Sequence, residues 1–469
     1  MKTYQDLQES ITKGTLGEFL RSAVREHQGS KAYKDAVDGM AYYNKHNITI
    51  EKFQKFLFTL SGNKTPDIWS SDYRLKTLMF RRLVLQEVGY ICANGVSMDG
   101  KEKLGDDFDN KLQTAAKWAL AQGVSFGYWN LDHLEVFSFA DTPGNPGFVP
   151  LLDEKTSELM AGIRYWFRET GNKTLFRATL YELDGVSEWA AEGSDDATMI
   201  TAKRAYILKE LRNDLGVVDV CDENYTRLPI ATLYGNDTHE SELVGLRGSI
   251  DCYDFIKSGF ANQIDDTSGV YWILKNTGAM DDKDLAQFVQ RMKSVKATMV
   301  DGSDGTAAEA HTLDVPVEAR KTMLDILRRD LYEDAQMLDV AALAGAEKTA
   351  TEISAAYQPQ DNKCSDFEYF LIAFIRQICA VAGIENPEPA FTWNKVINQA
   401  ETTSMVLSAA EYLDDETTLR HLPWILPEEV PEILKRRDEA DLKRMGAIEN
   451  QLLQNPQQVN QQEPQLPEG

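Results

Sequence analysis

Apolar residues recur at helical spacing in the first quarter of the chain. Between residues 75 and 92 they return close to every 3.6 positions, the period of an amphipathic helix. Residues 108–123 repeat that pattern, and Gly123 stands where glycine commonly ends a helix. We therefore predict that residues 1–120 are mostly helical.

The pattern changes to short β-like runs between residues 124 and 190. The first three runs, SFGYW, LEVFSF and FVPLL, are interrupted by the turn-rich segment DTPGNPG (141–147). Two further runs (175–189) flank Asp184 and Gly185, a pair typical of a two-residue hairpin turn. An antiparallel sheet packed against the helices is expected here.

Two long helical patterns follow, with a small α/β unit between them. The first covers residues 239–264, with Asp237 and Glu240 as a capping pair. The second covers residues 316–339 and begins at Pro316. The unit between them is predicted to contain strands at 270–274, 297–300 and 310–315 and a helix at 282–294.

Each long helix carries an apolar stripe, and no other part of the sequence is an obvious cover for it. We therefore expect the two helices to pack against copies of the same chain. Three glycines in the first helix (245, 248 and 259) each cost about 1 kcal/mol relative to alanine, which is tolerated where another element packs very close. The residues assigned to the interface are Leu246, Ile250, Tyr253, Leu324, Leu327 and Leu331.

The segment VAALAGAEKTATEISA (340–355) differs from both of its neighbours. It has too few bulky side chains for a core and too few turn residues for a simple hairpin. Helical patterns return at 350–384, 404–413 and 427–445. The last residues, 455–469, are rich in glutamine and proline and lack aromatics, so disorder is predicted there.

Charge and cysteine content narrow the function classes. The net charge of −25 repels a polyanion and argues against bulk nucleic-acid binding by phosphate neutralisation. Five scattered cysteines without a C-x-x-C pair are expected to be free thiols, mostly buried. The first ten residues lack the apolar core of a secretory signal, and the longest apolar stretch (369–384) is too short to span a membrane.

One catalytic motif match needs an explanation. GVSFG (123–127) satisfies G-x-S-x-G, but the hydrolase elbow requires a strand before the serine and a helix after it. The predicted order around Ser125 is the reverse, which favours a helix-ending glycine that leads into a strand. The histidines lie outside zinc-binding spacings, and acidic pairs at 265–266 and 281–282 suit solvated charges or helix caps. We predict no catalytic residue, metal or cofactor.

Several local patterns occur in an order that resembles the portal proteins of tailed bacteriophages, in particular long-tailed phages of Gram-positive hosts. Each pattern is weak alone, and their order carries the resemblance, which covers about residues 70–445. The patterns lie at 123–129, 150–153 (PLLD), 163–166 (IRYW), 228–237 (LPIATLYGND), 249–258 (SIDCYDFIKS), 314–332 (DVPVEARKTMLDILRRDLY) and 348–354 (KTATEIS).

The resemblance implies an α+β, mainly helical portal fold with a wing, a two-helix stem, a small α/β clip, a tunnel loop and a helical crown. The implied parts are a wing (1–238), stem helices (239–268 and 316–337), a clip (269–315), a tunnel loop (338–352), a long wing or tunnel helix region (353–395), a crown (396–450) and a disordered tail (451–469).

The resemblance also implies a function. Portal subunits form a ring, usually a dodecamer, at one capsid vertex, through which the genome is packaged and ejected. The implied partners are copies of the chain, double-stranded DNA, the terminase large subunit, a head–tail adaptor, and the major capsid and scaffolding proteins, without a membrane. The implied location is the portal vertex of the virion, and the host cytoplasm during assembly.

The small-residue segment resembles the tunnel loop that each subunit projects into the channel. Small side chains allow many copies to crowd around a duplex, and a mainly acidic wall avoids the tight grip of a strongly basic one. The residues expected to face DNA are Val340, Leu343, Ala344, Glu347, Lys348 and Thr349. Two alternatives stay open: an oligomeric virion or scaffold protein without a channel, and a serine hydrolase acting through Ser125.

Overall fold

An eight-stranded β-sheet with helices packed on it is the main feature of the fold. The computed structural model has about half of its residues in helices, which confirms the predicted α+β class. It describes residues 2–454 except for 59–61, 68–69, 172, 194, 214–215, 268–270, 276–306, 312–315, 344–349, 396–398, 423 and 426–428.

The elements are numbered in chain order through the described residues. The helices are α1 (Tyr4–Lys13), α2 (Leu16–Gly29), α3 (Lys31–Tyr43), α4 (Ile48–Lys52), α5 (Met79–Cys92), α6 (Phe108–Gln122), α7 (Leu243–Thr267), α8 (Val317–Asp334), α9 (Val340–Leu343), α10 (Ala350–Ala382), α11 (Gln399–Ala409), α12 (Asp415–Arg420) and α13 (Val430–Gln454). The strands are β1 (Phe56–Phe58), β2 (Lys64–Pro66), β3 (Val96–Ser97), β4 (Val124–Asn130), β5 (His133–Ser138), β6 (Gly147–Leu152), β7 (Leu159–Thr170), β8 (Lys173–Glu182), β9 (Gly185–Glu192), β10 (Thr198–Arg204), β11 (Ile207–Asn213), β12 (Gly216–Glu223), β13 (Ile230–Tyr234), β14 (Tyr271–Lys275), β15 (Ala307–His311) and β16 (Ala390–Phe391).

The large sheet has the strand order β10-β9-β8-β7-β6-β5-β4-β13. Its neighbours are antiparallel except β5 and β6, which meet in a parallel pair at Ser138 and Gly147. Helices α1 and α2 cover one face, where Leu20 packs in the same buried cluster as Val149. Because successive strand residues point to opposite faces, Phe148 belongs to a second, aromatic cluster on the other face.

The helix end and the hairpin predicted for the sheet region are confirmed, but the predicted turn residues of the hairpin are wrong by one position. Helix α6 ends at Gly123, which has a φ of 88°, and β4 follows at once. The predicted hairpin is formed by β8 and β9, but its two loop residues are Leu183 and Asp184, because Glu182 pairs with Gly185. Gly185 alone among these residues has a positive φ, 143°.

Helix α7 begins at Leu243 rather than at residue 239, so the predicted capping pair is wrong. Glu240 lies in the turn before the helix, where its backbone N–H donates to Asn236 Oδ1 at 3.2 Å. The side chain at the start of the helix is Ser241, whose Oγ accepts a hydrogen bond from Leu243 N, the first amide of the helix, at 3.2 Å. Asp237 also lies outside the helix.

Helix α8 ends at Asp334, five residues before the predicted end. The chain turns there because Gln336 adopts a left-handed φ of 54° and Met337 N donates back to Tyr332 O at 2.9 Å. Leu338, which lies within the range predicted to be helical, is buried in the segment beyond the helix.

Strands β14 and β15 form an antiparallel pair between α7 and α8, with Tyr271 opposite His311. The strand predicted at 270–274 is thus confirmed to within one residue, and the strand predicted at 310–315 overlaps β15 at residues 310 and 311, while residues 312–315 lie outside the described residues. The predicted helix at 282–294 and strand at 297–300 lie outside the described residues.

The chain divides into two compact units. The first comprises Met1–Ala342 and Tyr357–Asn394 and contains the large sheet. The second comprises Leu343–Ala356 and Lys395–Gly469, and its helices α11 and α13 confirm the two C-terminal helices predicted from the sequence.

None of the five cysteines is in a disulfide bond, and three of them, Cys92, Cys364 and Cys379, are buried. Cys221 and Cys252 are exposed. No helix in the described ranges combines the length and the apolar character needed to cross a membrane.

Candidate functional site

Helices α7 and α8 carry the residues predicted to form a subunit interface. The expectation that the rest of the chain leaves their stripes uncovered is wrong, because α3, α4 and α5 pack against α7, and α7 packs against α8. The six residues differ in exposure: Leu246, Ile250, Leu327 and Leu331 are buried within the chain, and Tyr253 and Leu324 are half-buried. Their role between subunits stays a prediction.

A ladder of polar side chains on α7 holds the segment that precedes α5. Asp254 accepts from Thr77 N at 3.1 Å, and Ser258 Oγ accepts from Leu75 N at 2.9 Å. One turn further, Asn262 Oδ1 accepts from the N–H of residue 73. Because these amides bond to side chains of α7, residues 73–77 are not helical, and α5 begins four residues later than predicted.

The carboxyl of Asp254 is buried in this ladder, and burial disfavours its charged form. Burial raises its pKa above the ordinary value, against the opposing effect of hydrogen bonds from Asn47 and Thr77. Asn47 Nδ2 donates to Asp254 Oδ2 at 3.0 Å, so the carboxylate is held from two directions. The ladder therefore fixes α7 to the elements around it.

The exposed side of α7 is apolar and contains two gaps. Val244 and Phe255 lie three turns apart on it and are 44% and 50% exposed. Gly248 lies four residues after Val244, and Gly259 lies four residues after Phe255, so both glycines are on the same side of the helix. A Cβ added at either glycine would have no contact within 4 Å among the residues that the structure describes. We call these four residues the outer face of α7.

A buried ion-pair network lies where the chain leaves α8. Lys363 Nζ, on α10, lies 3.1 Å from Glu87 Oε2 and 2.8 Å from Glu242 Oε2, and donates to Ala335 O at 3.2 Å. Burial raises the pKa of Glu87 to about 7, Lys363 opposes that rise, and Glu242 adds to it. Burial alone lowers the pKa of Lys363, but the two carboxylates raise it, and the net direction is upward.

Hydrogen bonds fix the root of the predicted tunnel loop. Leu338 N donates to Gln360 Oε1 at 3.1 Å, and Gln86 Nε2 donates to Leu338 O at 2.9 Å. The next residue, Asp339, accepts from Arg328 Nη2 at 2.8 Å. These contacts and the network around Ala335 tie the start of the loop to α5, α8 and α10.

Two of the six residues predicted to face DNA lie in described segments. Val340, the first residue of α9, is 60% exposed, and Leu343 is its last residue. The other four, Ala344, Glu347, Lys348 and Thr349, lie outside the described residues. Contact with DNA stays a prediction for all six.

The candidate nucleophile and metal ligands are placed as follows. Ser125 is fully buried, and its hydroxyl donates to Ala115 O at 2.8 Å, with a helix before it and a strand after it. The exposed Asp265 accepts a hydrogen bond from Ser71, and the pair at 281–282 lies outside the described residues. Within the described ranges, no group of three or more His, Cys, Asp or Glu residues is arranged to hold a metal ion.

The sequence analysis missed the Lys363 network and the outer face of α7. Glu87 stands in an apolar helical run, where a charge was the available signal, whereas Lys363 follows the polar stretch QPQDN and gave no such signal. The glycines of α7 were noticed, but only the structure shows that they lie on the side opposite the buried stripe.

Comparison with known proteins places the chain in a family. The family model for phage portal proteins of the SPP1 Gp6-like type matches residues 36–443. A curated portal protein of Clostridium phage phiCD119 is 24% identical over 208 residues, which are 43% of this chain and 46% of that protein, so the match spans about half of the relative's length. A solved HK97-family phage portal protein from Corynebacterium diphtheriae aligns with 67% of this chain and 91% of its own, at 10% identity and a TM-score of 0.34. The chain belongs to the SPP1 Gp6-like family of phage portal proteins.

Proposed function

We propose that this chain forms the portal of a phage capsid, a ring of identical subunits, dodecameric by resemblance to the family, through which double-stranded DNA enters and leaves. The observation that carries the proposal is the family match across residues 36–443. The purified protein should form rings with a central hole wide enough for a duplex, seen by negative-stain microscopy. A filament, a dimer or a ring without a hole would contradict the proposal and favour an oligomeric virion protein without a channel.

The parts of the portal are assigned by the same resemblance. The wing comprises residues 1–238, the stem α7 and α8, the clip the segment between them, and the crown residues 396–450. The clip would dock the terminase large subunit and later the head–tail adaptor, and other surfaces would meet capsid and scaffolding proteins. The ring would sit at the capsid vertex after assembly in the host cytoplasm. The subunit would have no catalytic role, and a separate motor would drive packaging.

We place the contact between subunits on the outer face of α7 rather than on the buried stripes. Two exposed apolar side chains there, Val244 and Phe255, lose contact with water when a neighbour packs on them. At Gly248 and Gly259 an added Cβ would meet no described residue within 4 Å, so the absence of side chains there allows a neighbouring helix to approach closely. Within the subunit they only cost stability, so a contact outside the subunit explains them.

A pair of glycine substitutions tests this interface. Gly248→Leu adds a side chain to open space on the subunit, so the subunit should fold but fail to form rings. Gly89→Leu is the matched control, because Gly89 is also inside a helix and its added Cβ would also meet nothing within 4 Å. Light scattering measures the mass. Rings of normal size from both variants would exclude the outer face of α7 as the interface.

The channel lining is assigned to residues 338–352, whose root the hydrogen bonds at Leu338 hold in place. Lys348→Glu should remove a ring of phosphate contacts, and Ala344→Trp should narrow the bore, while rings still assemble. Nuclease-protected DNA in a packaging assay with purified procapsids and terminase is the readout. Lys34→Glu, an exposed charge on α3, is the control. Normal protection with both loop variants would show that this segment does not face DNA.

A further inference from the structure

The outer half of β7 has an open backbone edge. Strand β7 continues to Thr170, but its pairing with β6 stops where Tyr165 meets Gly147. Residues 166–170 pair only with β8, and the described part of the chain supplies no strand on their other side. Open strand edges present unpaired N–H and C=O groups that can receive an added strand.

A groove with a partly apolar lining runs beside this edge. It has a volume of about 680 Å³ and lies between the loop 141–146 and the end of β7. Trp166 and Phe167, which line it, are 37% and 39% exposed. A smaller groove of about 320 Å³ shares Trp166 and Thr179 with it and extends over β8 toward Ile200. Trp166 therefore stands at the centre of a continuous depression.

Three arginines on the same face of the sheet make this depression cationic. Arg164, Trp166 and Arg168 alternate along β7, and Arg177 lies directly across from Trp166 on β8. Neither Arg168 nor Arg177 forms an ion pair or a side-chain hydrogen bond with any residue that the structure describes. The guanidinium of Arg164 lies over the Phe137 ring, 4.1 Å from its centroid.

Three carboxylates around the two grooves already have partners. Asp141 Oδ1 accepts from Tyr33 at 2.5 Å and from Tyr165 at 2.8 Å. Glu188, in the smaller groove, accepts from Thr201 Oγ1 at 3.0 Å, and Glu135 lies 3.5 Å from the one arginine of the three that is paired. Two guanidinium groups thus remain available on a chain whose net charge is −25.

We propose that an acidic, extended segment of a partner protein docks here as an added strand along residues 166–170. Its backbone would pair with the open edge of β7, its carboxylates would bind Arg168 and Arg177, and one apolar side chain would pack on Trp166. A nucleic acid would satisfy the arginines but not the row of backbone N–H and C=O groups, and the acidic chain repels a polyanion. The inference does not depend on ring formation.

Binding of short labelled peptides to the full-length protein tests the proposal. The probe is the fluorescein-labelled peptide Thr-Glu-Val-Leu-Val-Glu-Thr, and its binding is measured by fluorescence anisotropy. We expect Arg168→Ala/Arg177→Ala to weaken binding by about fivefold to tenfold, since each exposed charge pair contributes a few-fold. Arg25→Ala, an exposed arginine on α2, should leave it unchanged. Trp166→Ala should weaken binding as well, and raised salt should weaken it for the wild type.

Three outcomes would overturn the proposal. One is equal affinity of the Arg168→Ala/Arg177→Ala variant and the wild type for the acidic peptide. Another is that the wild type binds a peptide with lysines in place of both glutamates as tightly as it binds the acidic peptide. The third is tighter binding of a twelve-nucleotide oligo-dT than of the acidic peptide, which would make the groove a nucleic-acid contact. Hydrogen exchange adds an independent measurement, because strand addition must slow exchange in residues 166–170, and unchanged exchange on peptide saturation would exclude it.

Discussion

Replacing Lys363 with methionine tests the energetic role of the buried network. The change keeps much of the side-chain volume and removes the ammonium group that lies 3.1 Å from Glu87 and 2.8 Å from Glu242. Glu87 is 2% exposed, and its second oxygen, Oε1, has no hydrogen-bond partner among the described residues. Removing one partner of a buried ion pair costs about 3–5 kcal/mol. We expect Lys363→Met to lower the free energy of unfolding by about 3 kcal/mol at pH 8.

The cost should depend on pH in a defined direction. Burial raises the pKa of Glu87 from 4.5 to about 7, which corresponds to about 3 kcal/mol. A carboxyl with a raised folded pKa stabilises the protein fully below its unfolded pKa and loses that contribution as the pH rises through the folded pKa. Removing Lys363 takes away the charge that lowers the pKa of Glu87, so this pKa rises further. Glu87 is then neutral at pH 6, and the substitution should cost only about 1 kcal/mol there.

Urea unfolding at pH 6 and pH 8 measures both values. Wild type, Lys363→Met and Lys363→Met/Glu87→Gln are compared at one protein concentration, because assembly shifts apparent stability by mass action. At pH 8 the free energy of unfolding of the double variant should be about 2 kcal/mol higher than that of Lys363→Met, since the double variant no longer buries an unpaired carboxylate. An equal loss at both pH values, or no recovery in the double variant, would refute the reasoning.

Three further predictions concern buried groups. Ile250→Asp should unfold the first unit instead of releasing folded subunits, because Ile250 is buried within the chain. Circular dichroism and gel filtration distinguish the two outcomes, and a folded monomer would contradict the prediction. Ser125→Ala should lower the free energy of unfolding by about 1 kcal/mol by removing the buried hydrogen bond from the Ser125 hydroxyl to Ala115 O, and a serine-directed fluorophosphonate should not label the wild type. Burial lowers the pKa of His27 to about 4, so its contribution to stability is present above pH 6.5 and is lost as the pH falls toward 4. His27→Phe should reduce the loss of unfolding free energy between pH 6.5 and pH 4, measured by urea unfolding, and an unchanged loss would argue against this prediction.

Local chemistry allowed much of the fold to be predicted. The end of α6 at Gly123 and the β8–β9 hairpin depend on residues that are neighbours in sequence, and both were found. The alternating runs from residue 124 onward also predicted an antiparallel sheet, although the eight-strand order could not be read from them. Short-range signals were therefore reliable where the structure is determined by short-range contacts.

The remaining features depend on contacts between distant segments. Residues 75–78 have a helical pattern but lie outside the helix, because the amides of Leu75 and Thr77 bond to Ser258 and Asp254 on α7. The apolar stripe at Leu246 was interpreted as a subunit contact, since the sequence does not show that three other helices cover it. The unpaired arginines beside Trp166 could not be recognised either, because Arg177 joins that cluster only through the pairing of β7 with β8.

The polar ladder of α7 has a mechanical consequence. Its three side chains recur every fourth residue, about 6 Å along the helix axis, and the amides that they hold recur every second residue, a separation of about 6.6 Å when a chain is fully extended. Because the two spacings nearly agree, a force along α7 loads all the rungs from Asp254 to Asn262 together instead of opening them one after another. Helix α5 begins two residues beyond Thr77. Sliding of α7 along its own axis would therefore pull α5 with it, as if the two were one rod.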